Sequence, residues 1–145
     1  MDVFLISLGI PTLKVRMKEH GKNALVIASF LEKQEYISKV TFPALKSHAQ
    51  YDLAQKQMEH IPGLFTADFI SVELAEKFIE NAKLFGEKCS FGSPDSRAEI
   101  PAKISHATFS VEELAAIGIT SSSVRFSIGL ENVDDLLEDI QQALK

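Results

Sequence analysis

Ser123-Val124-Arg125-Phe126-Ser127-Ile128-Gly129, near the end of this 145-residue chain, alternates strictly between polar and apolar side chains. Alternation with a period of two is typical of a β-strand that buries one face. The apolar side chains then share a face that helices can cover, and Ser123, Arg125 and Ser127 share the opposite, polar face. A sheet that is polar on one face can receive a ligand or a partner there.

Helical signals follow this strand directly. Asn132 can cap a helix N-terminus, and Lys145 lies at the end where a positive charge is favourable. Residues with the spacing of one helical face come after the cap, namely Val133, Leu136, Leu137, Ile140 and Leu144. The chain therefore ends in a strand followed by a helix.

Upstream, strand and helix patterns alternate. Strands are predicted at residues 36–42, 64–70 and, less regularly, 84–90. Helices are predicted at residues 49–59, after a Ser71 cap, and after the capping box Ser110-Val111-Glu112-Glu113, with an end near Gly118. Residues 91–109 show no regular pattern, which is typical of a functional loop.

The first part of the chain predicts a long amphipathic helix. Apolar residues recur at steps of three and four after Pro11, which suits a first helical turn. A helix over residues 11–32 would be about 33 Å long, more than a domain of this size requires. We therefore expect a linking helix in residues 1–34 and a compact domain in residues 35–145. Residues 1–8 are apolar but short and lack a basic start, so we expect neither a signal peptide nor a membrane span.

The order of elements predicts an α/β (α+β) fold. Strands separated by helices, with connections too long for hairpins, are typical of an open sheet covered by helices. We expect about four strands in a mostly antiparallel or mixed sheet, with helices on one face and the long helix preceding it.

Composition narrows the classes of function. The 15 basic and 20 acidic residues give a formal net charge of -5, which disfavours binding to nucleic-acid phosphates. Cys89 is the only cysteine, so no internal disulfide can form, and a cytoplasmic location is expected by default. A nucleophilic cysteine needs a lowered thiol pKa and a nearby base, and Lys88 is the only charged neighbour of Cys89 in the sequence. We therefore interpret Cys89 as an inert thiol rather than a nucleophile.

Among single residues, Arg125 is the strongest candidate for a ligand contact. A guanidinium on a rigid strand can hold a carboxylate with two parallel hydrogen bonds, although a solvated arginine on a polar sheet face is the alternative. His20, His48, His60 and His106 are too scattered to predict a metal site. His106, within the irregular loop, is interpreted as a surface or structural histidine, and it is the one of the four for which a proton donor or polar contact is the alternative.

Six segments, in the same order along the chain, resemble the transsulfuration family of pyridoxal-phosphate (PLP) enzymes, which includes cystathionine γ-synthase, cystathionine γ-lyase and methionine γ-lyase. They are residues 8–17 (R-G-(L/I)-K-T-L-x-x-R-M in the family), 39–48 (K-V-x-Y-P-G-L-x-S-H), 54–58 (A-x-x-Q-M), 81–85 (N-x-K-L-F), 101–107 (P-A-x-M-T-H-A) and 124–131 (V-R-(L/I)-S-V-G-(I/L)-E). The resemblance covers nearly the whole chain.

The resemblance implies a fold and a role. In the family this region is the small C-terminal domain of a fold-type I PLP enzyme, reached through a long linking helix, and an N-terminal domain carries the PLP lysine and phosphate site. Arg125 occupies the place of the arginine that binds the substrate α-carboxylate, and Ser90 matches a serine that helps at the same site. The chain alone is therefore expected to bind no PLP and to be inactive, and its expected partner is a PLP-binding domain or a second copy.

Departures from the family pattern leave two functions open. Residues 89–97 read C-S-F-G-S-P-D-S-R where the family has E-S-L-G-G-x-E-S-L, and Leu8 and Pro11 replace an arginine and a lysine. The first function is the substrate-binding part of a PLP-dependent sulfur-amino-acid lyase or transferase. The second is an inactive remnant or split-enzyme subunit that acts as an interaction module, and a free amino-acid sensor is a third, weaker hypothesis.

Overall fold

The fold consists of five helices and one five-stranded sheet within residues 1–87 and 90–145, which the computed structural model describes. The helices are α1 (Asp2–Leu31), α2 (Tyr51–Gln57), α3 (Val72–Asn81), α4 (Val111–Ala116) and α5 (Val133–Ala143). The strands are β1 (Ile37–Thr41), β2 (Leu64–Phe69), β3 (Gly86–Glu87), β4 (Arg97–Glu99) and β5 (Ser123–Ser127). The predicted α/β class is confirmed.

The sheet has the strand order β1-β2-β5-β4-β3. Four of these strands, β1, β2, β5 and β4, pair antiparallel, and the short β3 pairs parallel to β4. Residues that lie opposite each other on paired strands share a face of the sheet. Arg125 lies opposite Thr66 on one side and Glu99 on the other, which continues the predicted polar face across three strands.

The opposite face of the sheet forms the core beneath the helices. Phe126 is fully buried at its centre, and its ring centroid lies 5.1 Å from Phe65, 5.4 Å from Phe78 and 5.8 Å from Phe85. Helices α1, α3 and α5 cover these rings with buried apolar residues that include Ile27, Leu31, Ala75, Leu136 and Ile140. The predicted division of β5 into a core face and a polar face is confirmed.

The predicted helix caps are present. Ser71 and Asn132 each accept a backbone N–H of the first turn of the helix that follows. Ser110 and Glu113 form a complete capping box at the start of α4. These caps satisfy N–H groups that a helix terminus leaves without an internal partner.

The predicted start of the long helix was wrong. α1 begins at Asp2 instead of near Pro11, which lies inside the helix. A proline in a helix removes one hydrogen bond because it has no N–H. Thr12 Oγ1 and Arg16 Nη2 both donate to the carbonyl oxygen of Gly9, at 3.2 and 3.1 Å. The helix continues through the proline in spite of the lost bond.

The sheet also differs from the prediction at one strand. β4, at Arg97–Glu99, lies inside the segment that showed no regular pattern. In the strand predicted at residues 84–90, the structure has β3 at Gly86–Glu87, and Lys88 and Cys89 lie outside the described residues. Three residues are too few to display an alternating pattern, and pairing with β5 defines β4 instead.

The C-terminal half of α1 is fixed to the sheet. An ideal Cβ on Gly21 would lie 2.1 Å from the carbonyl oxygen of Ile61, so only glycine permits this contact. His20 Nδ1 donates to the carbonyl oxygen of Ile128 at 2.5 Å. The side-chain amide of Asn23 donates to the next carbonyl, that of Gly129, at 3.3 Å. Helix and strand end therefore form one rigid unit.

The N-terminal half of α1 extends beyond this unit with apolar side chains exposed. Val3 is 81% exposed, Ile10 62% and Val15 72%, and the apolar residues between them are exposed as well. Within the described part of the chain, none of the helices combines the length and the apolar character that a membrane span requires.

Phe126→Ala is expected to lower the free energy of unfolding by about 3–5 kcal/mol, because it leaves a cavity among three other phenylalanine rings. Denaturant unfolding followed by circular dichroism measures the loss. Val111→Ala, at a side chain 78% exposed on α4, is the control and should change stability by less than about 0.5 kcal/mol. A loss of similar size in both variants would contradict the packing described above.

Candidate functional site

Arg125 lies in the middle of β5 and forms an ion pair across the sheet. Its Nη2 atom lies 2.6 Å from Oε1 of Glu99 on β4, and the two side chains are 20% and 2% exposed. A buried carboxylate needs such a partner, because removing its charge from water costs several kcal/mol, of order 5 or more without compensation. Glu99 thus holds the guanidinium in place while the arginine side chain still reaches the surface.

Two further residues continue this arrangement. Ser105 Oγ donates to the same Oε1 atom of Glu99 at 2.7 Å and lies 3.0 Å from Nδ1 of His106. Because the serine proton points to the carboxylate, the ring nitrogen of His106 must donate to the serine oxygen. His106 thus connects to Arg125 through Ser105 and Glu99, and its role as a proton donor or polar contact stays a prediction.

Sequence reasoning missed Glu99 and Ser105 as members of the site. Glu99 lies 26 positions before Arg125, and only the β4–β5 register brings the two together. A strand assigned at residues 97–99 would have placed Glu99 on the same polar face. Oε2 of Glu99 has no hydrogen-bond partner among the described residues. The ion pair with Arg125 and the hydrogen bond from Ser105 are both made by Oε1.

Ser90 begins the segment that we name the site loop, residues 90–96, which leads into β4. Its side chain is exposed. Two residues later the N–H of Gly92 donates to Oγ of Ser127, which is two positions from Arg125 on the same strand face. The site loop therefore crosses the polar face next to Arg125. A joint role of Ser90 and Arg125 stays a prediction, and Cys89 lies outside the described residues.

Three of the residues that depart from the family pattern in this region, Ser93, Asp95 and Arg97, bond to one another. The guanidinium of Arg97 pairs with Asp95 at 3.1 Å and donates to Ser93 Oγ at 3.3 Å, and Ser93 Oγ donates to Asp95. Their substitution therefore leaves a closed local cluster rather than unpaired charges. The altered sequence is compatible with an ordered site loop.

Two cavities lie near sequence-predicted residues. One of about 210 Å³ lies between α1 and the site loop and is lined by His20, Leu64, Phe91 and Ser127, among others. Another, of about 410 Å³, lies along β1 at the edge of the sheet and contains His48. The smaller cavity borders Ser127 on the polar face, so it is the one that adjoins the Arg125 site.

The whole chain matches known proteins. A family model described as Cys/Met metabolism PLP-dependent enzyme matches residues 1–145. Cystathionine gamma-lyase from Bos taurus is 40% identical over all of this chain and 36% of its own length. L-methionine gamma-lyase from Pseudomonas putida is 39% identical over 99% of this chain and 36% of its own length.

A solved structure shows the same fold. A crystal structure from Campylobacter jejuni, described as an O-acetylhomoserine (thiol)-lyase with N′-pyridoxyl-lysine-5′-monophosphate, matches 94% of this chain with a TM-score of 0.90 and 36% identity. The match covers 33% of that chain, so the present chain spans about a third of the length of these relatives. Its five helices and antiparallel sheet correspond to the small C-terminal domain of a fold-type I PLP enzyme.

The described residues do not fit PLP by themselves. A lysine that forms a Schiff base with PLP needs a desolvated environment. Within residues 1–87 and 90–145, no lysine is buried, and Lys77, the least exposed of them, donates to the carbonyl oxygen of Leu144 at 3.1 Å. The described lysines therefore offer no desolvated amine of the kind that a Schiff base with PLP needs.

Arg125→Ala is expected to reduce the free energy of unfolding by about 3–5 kcal/mol, because Glu99 would keep a buried charge without its ion-pair partner. Adding Glu99→Gln should recover part of this loss. A double-mutant cycle measured by denaturant unfolding should give a coupling energy of about 0.5–3 kcal/mol. The control cycle is Arg97 with Asp95, whose carboxylate is 58% exposed, and it should give less than about 1 kcal/mol. Equal coupling in both cycles would refute the role assigned to Glu99.

Asp95 is expected to titrate below its ordinary pKa of 3.8, because the Ser93 hydroxyl, its backbone contact and Arg97 all stabilise the carboxylate. Because the pKa of Asp95 is lower in the folded state, its carboxylate contributes to stability at neutral pH. This contribution is lost as the pH falls below the ordinary value of 3.8 and then through the lower pKa of the folded state. NMR titration of the side-chain carboxyl measures the midpoint, with a peptide of residues 90–100 as the control. Ser93→Ala should raise the pKa more than Arg97→Ala, and a midpoint equal to that of the peptide would contradict the cluster.

Proposed function

The chain belongs to the Cys/Met metabolism PLP-dependent enzyme family, and from this premise we propose that it is the C-terminal, substrate-binding domain of a sulfur-amino-acid lyase or transferase of the cystathionine γ-synthase and γ-lyase type. Its task is to bind the α-carboxylate of the amino-acid substrate through Arg125. The observation that carries the proposal is the placement of Arg125 on the polar face of the central strand, held by Glu99 and next to the site loop.

The ion pair with Glu99 prepares Arg125 for a carboxylate ligand. A free arginine side chain loses rotational freedom when it binds, whereas one restricted by Glu99 and Ser105 loses less. Its planar fork of N–H donors matches the two oxygens of a carboxylate. The pairing also keeps the site close to neutral, because the charge of Glu99 balances that of Arg125. A substrate carboxylate therefore meets one arginine whose charge is balanced, and no strong electrostatic field.

In this proposal Arg125 and Ser90 contribute binding and orientation. Holding the α-carboxylate at one end of the substrate fixes the direction of the remaining bonds, and such orientation is a large part of enzymatic rate enhancement. The cavity of about 210 Å³ beside Ser127 gives the site a mostly apolar wall next to the site loop. PLP, when bound in a companion domain, supplies the electron sink for carbanion chemistry.

A second function, that of a split-enzyme subunit or remnant which acts as an interaction module, is favoured by the exposed half of α1. A helix that is apolar on all sides is normally buried. Residues 3–15 of α1 are apolar on all sides and exposed, with Phe4 and Ile6 both 61% exposed. We propose that this half of α1 packs against a PLP-binding domain, with a second copy of the chain as the alternative partner.

Arg125→Ala should weaken the binding of L-homoserine or L-methionine by about 10- to 100-fold, since a hydrogen bond to a charged group contributes about 1.5–3 kcal/mol. Isothermal titration or NMR shift mapping on the chain measures the affinity. Arg16→Ala, which removes the same charge from α1, is the control and should bind as the unchanged chain does. Equal affinity of the Arg125→Ala variant would refute the carboxylate site, as would equal binding of the corresponding amine without the carboxylate.

Leu5→Asp combined with Ile10→Asp should abolish association with a PLP-binding domain of a relative, because it places two charges in the proposed contact. Co-expression followed by size-exclusion chromatography measures the complex. Val111→Asp adds a charge at an equally exposed apolar position on α4 and should leave the complex intact. An unchanged complex with the α1 variant, or no complex with the unchanged chain, would count against this second function.

A further inference from the structure

The strand that carries the ligand arginine runs into a turn, residues 128–131, that we name the strand-end turn. Three residues at alternate positions, Ser127, Gly129 and Glu131, form hydrogen bonds with the site loop. Ser127 Oγ accepts the N–H of Gly92 at 3.2 Å. The N–H of Gly129 donates to Ser96 Oγ at 2.8 Å. Glu131 completes the series, because its carboxylate also binds Ser96.

Glu131 binds both donors of Ser96. Its Oε1 accepts the Ser96 N–H at 2.5 Å, and its Oε2 accepts the Ser96 hydroxyl at 2.8 Å. Ser96 is fully buried, so these bonds are shielded from water. Charge-assisted hydrogen bonds in such surroundings are stronger than neutral ones. A single carboxylate therefore fixes the end of the site loop.

The strand-end turn has the shape that this contact requires. An ideal Cβ on Gly129 would lie 2.3 Å from the carbonyl oxygen of Pro94 and 2.6 Å from the backbone nitrogen of Ser96, so the loop lies directly against the glycine. The N–H of Leu130 donates to the same Pro94 carbonyl at 2.7 Å. Asn23 on α1 donates to the carbonyl oxygen of Glu131 at 3.1 Å, which anchors the turn from its other side.

The residues of the loop divide into two sets by position. Gly92, Pro94 and Ser96 bond to Ser127 and the strand-end turn, whereas Ser93, Asp95 and Arg97 bond to one another. Gly92 and Ser96 match the family motif, and the residues of the second set depart from it. The contact with the turn is therefore independent of the altered residues.

We propose that Glu131 is a positioning residue for the carboxylate site: by holding Ser96 it fixes the site loop, with Ser90 at its other end, against the face of β5 that carries Arg125. This inference rests on the proposed function, because it assigns Ser90 and Arg125 to one ligand. Loss of the Glu131 contact frees the loop without disturbing the core beneath the sheet.

Hydrogen–deuterium exchange of the chain with Glu131→Gln tests this directly. The amides of Ser96 and Leu130 should exchange about 10- to 100-fold faster than in the unchanged chain, while the amide of Ala67 in β2 stays protected. Glu138→Gln, at an exposed position on α5, is the matched control and should alter none of these rates. Ser96→Ala, which keeps the N–H but removes the hydroxyl, should give a smaller change in the same direction.

Ligand affinity supplies the readout that a purely structural role would not move. Glu131→Gln should weaken binding of L-homoserine by roughly tenfold at a temperature where both the variant and the unchanged chain are fully folded. Unchanged exchange at Ser96, or equal acceleration at Ser96 and Ala67, would overturn the proposal. So would unchanged affinity of the variant. If the unchanged chain binds no amino acid, the proposed function fails for the chain alone, and the exchange rates still decide whether Glu131 holds the loop.

Discussion

The antiparallel pairing of β5 with β2 on one side and β4 on the other is the constraint on which the rest of the structure depends. Because side chains alternate along a strand, this pairing places Phe126 in the core and Arg125 on the outer face with a single choice of register. A shift by one residue would bury the guanidinium and expose the phenylalanine. The apolar packing that stabilises the domain therefore also holds Arg125 in position.

Much of this arrangement could be predicted from local patterns. Alternation identified β5 and its two faces, and Ser71, Ser110 and Asn132 marked helix starts, because capping depends on residues within one turn. The site was only partly predictable. Arg125 was found from the strand and the resemblance, but Glu99 and Ser105 act through pairing with a three-residue strand that carries no pattern of its own. A proline suits the first turn of a helix, so the pattern predicts a start near Pro11, whereas α1 begins at Asp2 and continues through this residue.

The site loop shows how a sequence can change without losing its place in the fold. Ser93, Asp95 and Arg97 stand where the family pattern has other residues, and they satisfy one another's charges and hydrogen bonds. The backbone contacts at Gly92 and Pro94 do not depend on those side chains. Departure from a family motif at these positions is thus a poor sign of lost function, while a change at Ser96 or Glu131 would be a strong one.

Helix α1 has a mechanical consequence. Its buried end is fixed to the strand-end turn through His20 and Asn23 and lies against Ile61 at Gly21, and its other end extends by about 18 residues, or roughly 27 Å at 1.5 Å per residue. A continuous helix of this length is stiff, so it acts as a lever arm. A tilt of about 4° at the pivot would displace the far end by roughly 2 Å over that length. A partner that held the far end of α1 would therefore set the angle of the strand-end turn next to Arg125.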